Sequence, residues 1–102
     1  MVEVKWSDQA IEDIDNIAEY IALDSTRYAE LQVNDFFEGA EILNEYPMAG
    51  RIVPEIKDKN IRELIVGSYL LIYVILREER FDILTVYHSA RLLKAKDVKR
   101  KL

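Results

Sequence analysis

The sequence has no cysteine and a single histidine, His88. The first absence excludes a disulfide framework and any thiolate nucleophile or thiolate-bound metal. With one imidazole, a metal site would need clustered carboxylates, and the acids here are spread along the chain. No apolar run approaches the ~20 residues of a membrane-spanning helix; the longest, Tyr69 to Leu76, has the length of a strand. The opening MVEVKWSD lacks the apolar core of a signal peptide. Only three glycines and two prolines occur, and there is no repeat, linker or low-complexity tract. Neither GxxxxGK[ST] nor GxGxxG is present, and there is no nucleophile elbow. These absences together lead to the expectation of a cytoplasmic protein that works without metal, cofactor or membrane.

Basic side chains are also scarce over most of the length. Residues 1–90 hold 8 basic and 18 acidic side chains, whereas residues 91–102 hold 6 basic and 1 acidic. An acidic body opposes non-specific binding of nucleic acid, which depends on Lys and Arg neutralising phosphate. The basic C-terminal segment 91–102 keeps a local, oriented contact open, and it also reads as a solvated, frayed helix.

What is present fits one domain, residues 1–102, with a modest core: a chain of about 100 residues buries roughly two thirds of its unfolded surface. Val2 to Trp6 alternates apolar and charged residues and reads as an edge strand. Ser7 is a helix cap. Ala10, Ile14, Ile17, Ala18 and Ile21 then recur at helical spacing between acids, which predicts an amphipathic helix of about 16 residues. Asp24-Ser25 breaks and re-caps the chain, and Ala29, Val33, Phe36, Ala40 and Leu43 form the stripe of a second helix ending near Tyr46-Pro47. Tyr20, Tyr28 and Tyr46 are expected to be half-buried on this αα-hairpin.

Three strands follow the loop PMAGRIVPE: Ile61 to Val66, Tyr69 to Leu76 and Phe81 to Tyr87. Gly67-Ser68 suits a type II′ hairpin, and Arg77 to Arg80 a second turn. The fold class is α+β, in the order βααβββ, with the αα-hairpin on one face of a mostly antiparallel four-stranded sheet. The predicted core is Ile14, Ile17, Ile21, Val33, Phe36, Leu43, Leu64, Ile72, Val74, Leu84 and Val86. The second face of the sheet is expected to be an open apolar patch that the C-terminal segment or another protein covers.

The residues with chemistry to offer lie on these strands: Arg62 and Glu63 on the first, Tyr69 and Tyr73 on the second, and Tyr87, His88 and Arg91 at the end of the third. Brought together, such groups perform general acid–base work on RNA, one taking a proton from a 2′-hydroxyl while cations hold the charge building on phosphate. Each also has a plain structural reading. Arg62 and Glu63 pair with neighbours, Tyr69 and Tyr73 pack with a polar tip, and His88 is a hydrogen-bonded strand-end residue. No aromatic-plus-basic stacking platform for RNA is visible.

Five pieces in order carry a family resemblance: W-S-x-x-A with I-x-D-I-x-x-I-A-x-Y-I-A; D-S; Y-P-M-A-G-R-I-V-P-E; I-R-E-L-x-V-G-S-Y; and I-L-T-V-Y-H-S-A-R-L-L. Over Trp6 to Leu93 the chain resembles the RelE/ParE superfamily of toxins from bacterial type II toxin–antitoxin, or plasmid stabilisation, systems. The resemblance implies a growth-inhibiting cytoplasmic toxin held inactive by a cognate antitoxin, as a hetero-oligomer or as a homodimer when free. One branch of that superfamily cleaves mRNA on the ribosome without a metal; the other poisons DNA gyrase. The ribosome-dependent branch commonly has Arg directly after the tyrosine of the G-x-Y strand. Leu70 stands there in this sequence, and Y-L-L-I-Y with H-S-A-R looks closer to the ParE side. On that reading His88 and Arg91 anchor the C-terminal segment and present a cationic sheet end. If instead the chain is an enzyme, a metal-independent endoribonuclease, the catalytic candidates are Arg62, Tyr87, His88 and Arg91. A third alternative is a member that keeps the fold without toxicity.

Overall fold

A computed structural model describes residues 3–77 and 80–89. Arg91, the whole basic segment 91–102 and the Glu78-Glu79 turn therefore lie outside the described residues. The element order is β1 (Glu3–Trp6), α1 (Asp8–Ala22), α2 (Thr26–Glu45), β2 (Arg51–Ile52), β3 (Ile61–Val66), β4 (Tyr69–Arg77) and β5 (Arg80–His88). Both predicted caps form. The Ser7 hydroxyl accepts from the Ala10 amide and the Ser25 hydroxyl from the Tyr28 amide, each satisfying an orphan donor of a first turn. Tyr46 leaves helical geometry, and Pro47 follows it.

The sheet runs β1-β5-β4-β3-β2, parallel between β1 and β5 and antiparallel elsewhere. The fifth strand, β2, is two residues of the PMAGRIVPE loop paired with Arg62 and Glu63. No periodicity marks so short a strand; its partner defines it. Gly67 has φ +61 and Ser68 does not share the positive φ, which is the II′ arrangement expected of a two-residue hairpin with glycine first.

One face of the sheet presents Leu71, Tyr73, Phe81, Ile83 and Val86 to Ala10, Ile14, Phe36, Ala40 and Leu43 of the hairpin. Each fully buried large side chain there contributes about 1.5–3 kcal/mol. Trp6 leans on Phe37, ring centroids 4.8 Å apart, and ties the first strand to α2. Of the predicted core, Ile17, Ile21, Val33 and Leu64 are only half-buried; Val33 lines a groove between the two helices, and Ile17 lines a cleft beside β5.

The second face is covered, and the loop between β2 and β3 contributes to that cover; the C-terminal segment expected over it lies outside the described residues. Leu70, Ile72, Val74, Leu84 and Tyr87 are buried there in a cluster with Val53 and Ile61, and Ile56 packs against it. Val53 and Ile56 come from the loop between β2 and β3, which folds back over the sheet instead of standing clear of it. The tyrosine expectation fails. Tyr20, Tyr28 and Tyr46 are all well exposed, since the apolar stripes of the helices are filled by smaller aliphatic residues and Phe36.

Candidate functional site

Two polar assemblies organise the sheet: one ties the loop between α2 and β3 to β4, and the other ties α1 to β5. At the first, the buried Tyr73 hydroxyl donates to the Pro47 carbonyl at 2.9 Å and accepts from the Gly50 amide at 3.0 Å. Glycine is required at position 50, because a Cβ would stand 2.7 Å from the Tyr73 ring and hydroxyl and 2.8 Å from the Glu63 carbonyl. Arg62 closes the loop from outside, donating to the carbonyls of Gly50 at 2.9 Å and Lys59 at 3.1 Å. Arg51 pairs with Glu63, whose side chain is 4% exposed. Burial raises the Tyr73 pKa above its ordinary value of 10.0; the Gly50 N–H and the nearby Arg62 charge pull it back in part.

At the second, β5 carries a bulge. Ile72 pairs with Thr85 but Tyr73 pairs with Ile83, so Leu84 is an extra residue. The polar groups that a bulge leaves unpaired find partners far away in sequence. Asp13 of α1 accepts from the Val86 amide at 3.1 Å and from the Thr85 hydroxyl. Ser7 donates its hydroxyl to the Leu84 carbonyl at 2.9 Å and its amide to the Ile83 carbonyl at 3.0 Å. Ser7 thus caps α1 and clamps the bulge with one side chain.

Beside this bulge lies a cleft of about 440 Å³ whose lining includes Asp13, Tyr20, Tyr69, Tyr87 and His88. The Tyr69 ring stands edge-on to His88 and to Phe36, with centroids 5.4 Å apart in each case. Tyr87 is mostly turned into the second core cluster, and His88 is exposed.

The sheet therefore brings Tyr69, Tyr87 and His88 to one cleft. It does not bring Arg62 there: β3 pairs Val66 with Tyr69 but Arg62 with Tyr73, four residues or roughly 13 Å further along the strand. Glu63 and Tyr73 belong to the loop assembly with Arg62. Arg91 lies outside the described residues. No Lys or Arg lines the cleft among the described residues, so the phosphate-stabilising half of an RNA-cleaving site is absent from them. Nor do the described residues hold a group of three or more His, Asp or Glu suited to a metal ion.

A second depression escaped the sequence reading. It lies between the helices, about 540 Å³, lined mainly by small residues (Ala18, Ala22, Ala29) and rimmed by Glu19 and Glu30. The signal that points to it is the run of alanines where larger residues would have met across the hairpin.

Residues 4–93 match the family described as the ParE toxin of the type II toxin–antitoxin system, parDE. The chain belongs to the ParE toxin family. Among solved structures it is similar to a chain of the chromosomal ParDE toxin–antitoxin system from P. aeruginosa, with 22% identity, a TM-score of 0.69, and coverage of 86% of this chain and 96% of that one. At that identity the likeness speaks for the fold, which is the RelE/ParE arrangement of two helices on a mostly antiparallel sheet. No curated protein matches the sequence.

Within the toxin, the position that follows the tyrosine of the G-x-Y strand now has a physical description. Leu70 is 8% exposed, pairs across the sheet with Tyr87 and faces the second core cluster. A cation placed there would enter the core instead of the cleft.

Proposed function

We propose that this toxin inhibits growth by poisoning DNA gyrase and is neutralised by a cognate antitoxin. Membership of the ParE family over residues 4–93 carries the reading. Two observations support it against ribosome-dependent RNA cleavage. Leu70 occupies a core position, and Arg62 is committed to the loop carbonyls of Gly50 and Lys59. Such a target puts the toxin's action in the cytoplasm, with the antitoxin holding it in a hetero-oligomer between episodes of release.

The test is induction without antitoxin, with growth, DNA breakage, the SOS response and mRNA cleavage scored in parallel. Growth arrest with DNA breakage is the expected result, and purified toxin should trap cleaved plasmid when mixed with gyrase, ATP and supercoiled DNA. Codon-phased cleavage of translated mRNA with intact DNA would replace the reading with a metal-independent endoribonuclease acting on the ribosome. Unimpaired growth would leave a family member that keeps the fold without toxicity.

A further inference from the structure

β1 is an open edge of the sheet: among the described strands its only neighbour is β5. The Ser7 amide donates to the Ile83 carbonyl, and a parallel strand bonds a given neighbour through every second residue. Glu3, Lys5 and Ser7 therefore turn their amides and carbonyls to β5, and Val4 and Trp6 turn theirs outward. Such an unpaired row is a template for another strand.

Side chains alternate along the strand. Val4 and Trp6 pack half-buried against the helices, and Phe37, 40% exposed, rests on Trp6. Glu3 and Lys5 stand exposed on the other face. The register sets Glu3 beside Arg80 and Lys5 beside Asp82, so both charges could be answered within one chain. Arg80 turns instead to Asp82, 3.4 Å away, and neither Glu3 nor Lys5 forms an ion pair among the described residues. A lone lysine on an edge strand guards it against pairing. A glutamate two residues away on the same face reverses that effect for one geometry. An antiparallel copy centred on Val4 sets Glu3 opposite Lys5 and Lys5 opposite Glu3. A parallel copy in register sets like charge on like, and an antiparallel copy centred on Trp6 sets Lys5 opposite Ser7.

We propose that the free toxin closes this edge on a second copy, β1 pairing antiparallel with β1 of the other chain about a two-fold axis at Val4. Val4 then exchanges two hydrogen bonds with its counterpart. The Glu3–Lys5 pairs fall at the non-hydrogen-bonded positions, where facing side chains come closest. Two five-stranded sheets become one continuous sheet. The two Val4 side chains meet at the axis, with the Trp6–Phe37 aromatics on either side of it. Each copy contributes the same edge, so assembly closes at two. The surface is independent of the gyrase reading, since it is the same whichever target the toxin acts on.

Sedimentation equilibrium of the purified toxin, at about 0.15 M salt, measures the pairing. At that ionic strength charges more than about 8 Å apart are screened, so the acidic hairpins of two copies oppose it little. Wild type should show a monomer–dimer equilibrium. Glu3→Lys sets lysine opposite Lys5 on both sides of the axis, and Lys5→Glu sets glutamate opposite Glu3. Each variant alone should dimerise about tenfold more weakly or worse. An equimolar mixture of the two variants should recover a dimer of near wild-type strength, because every facing pair is then of opposite charge. A loss of folding cannot be cured by mixing, so recovery assigns the effect to the β1 edge. Three results would overturn the proposal: a wild type that stays monomeric at the highest soluble concentration, a dimer that both single variants keep, or a mixture as weak as its components. None of them bears on the gyrase reading, which the plasmid-cleavage assay decides.

Discussion

The Tyr73 hydroxyl sits 3.0 Å from the Gly50 amide, in space that any side chain at position 50 would have to occupy. One phenol thereby pins the turn that leads from α2 into the sheet. Removing the hydroxyl leaves the Gly50 N–H and the Pro47 carbonyl without their partner, at a cost of about 1–3 kcal/mol. Tyr73→Phe should therefore lower the urea midpoint. Gly50→Ala should lower it at least as far, because the new methyl meets ring and backbone together.

The same tyrosine makes stability depend on alkaline pH. Its folded-state pKa is raised, chiefly by burial, so the native state keeps a proton that the unfolded chain loses near pH 10. Its contribution is complete below that pH and is lost as pH rises through the folded-state value. Denaturation curves taken from pH 8 to pH 11 should show wild type losing stability faster than Tyr73→Phe. Parallel curves for the two proteins would mean that the phenol ionises as freely in the fold as outside it.

Asp13 binds the bulge across more than seventy residues of sequence. Asp13→Ala strands the Val86 N–H and the Thr85 hydroxyl and should cost about 1–3 kcal/mol. Combining it with Thr85→Val should give a coupling of about 0.5–3 kcal/mol in a double-mutant cycle of unfolding free energies. Strict additivity would show that the carboxylate contributes no shared interaction there.

Leu70→Arg tests which way the position after the G-x-Y tyrosine faces. If the position faced a cleft, the substitution would restore a phosphate-binding cation. The position faces the second core cluster, so an unpaired guanidinium would be buried at a cost of about 3 kcal/mol or more. The melting temperature should fall sharply, and a translation extract should show no new codon-phased mRNA cleavage.

His88 is exposed and shares a ring contact with Tyr69. His88→Gln should cost no more than about 1 kcal/mol of stability. Under gyrase poisoning it should leave induced growth arrest in place. Loss of arrest by a protein that remains folded would instead give the imidazole a chemical role.

Much of the fold is legible in the sequence because local signals agree with one another. Ser7 and Ser25 announce both helices, Pro47 stops the second, and Gly67 turns the β3–β4 hairpin, each through a backbone requirement that one residue type meets. What is not legible depends on distant partners. β2 exists because Arg62 and Glu63 are there to pair with it. The bulge at Leu84 is stable because Ser7 and Asp13 arrive from the other end of the chain. Burial of Leu70 and Ile72 on the second face goes with a loop that folds back, and nothing in the strand pattern specifies that. The candidate site divides the same way. Strand position predicts that Tyr69 and His88 meet, whereas Arg62 belongs elsewhere because register, not composition, sets its distance from them.

Pairing of Glu3 with Arg80, and of Trp6 with Ile83, has a kinetic meaning as well. Among the described strands, β1 has no neighbour except β5. During synthesis it must wait for nearly the whole chain to leave the ribosome before it can enter the sheet. Ser7 waits with it, because the bulge it clamps belongs to that same last strand. A nascent chain thus cannot set β1 into the sheet, or clamp the bulge, until β5 has been made.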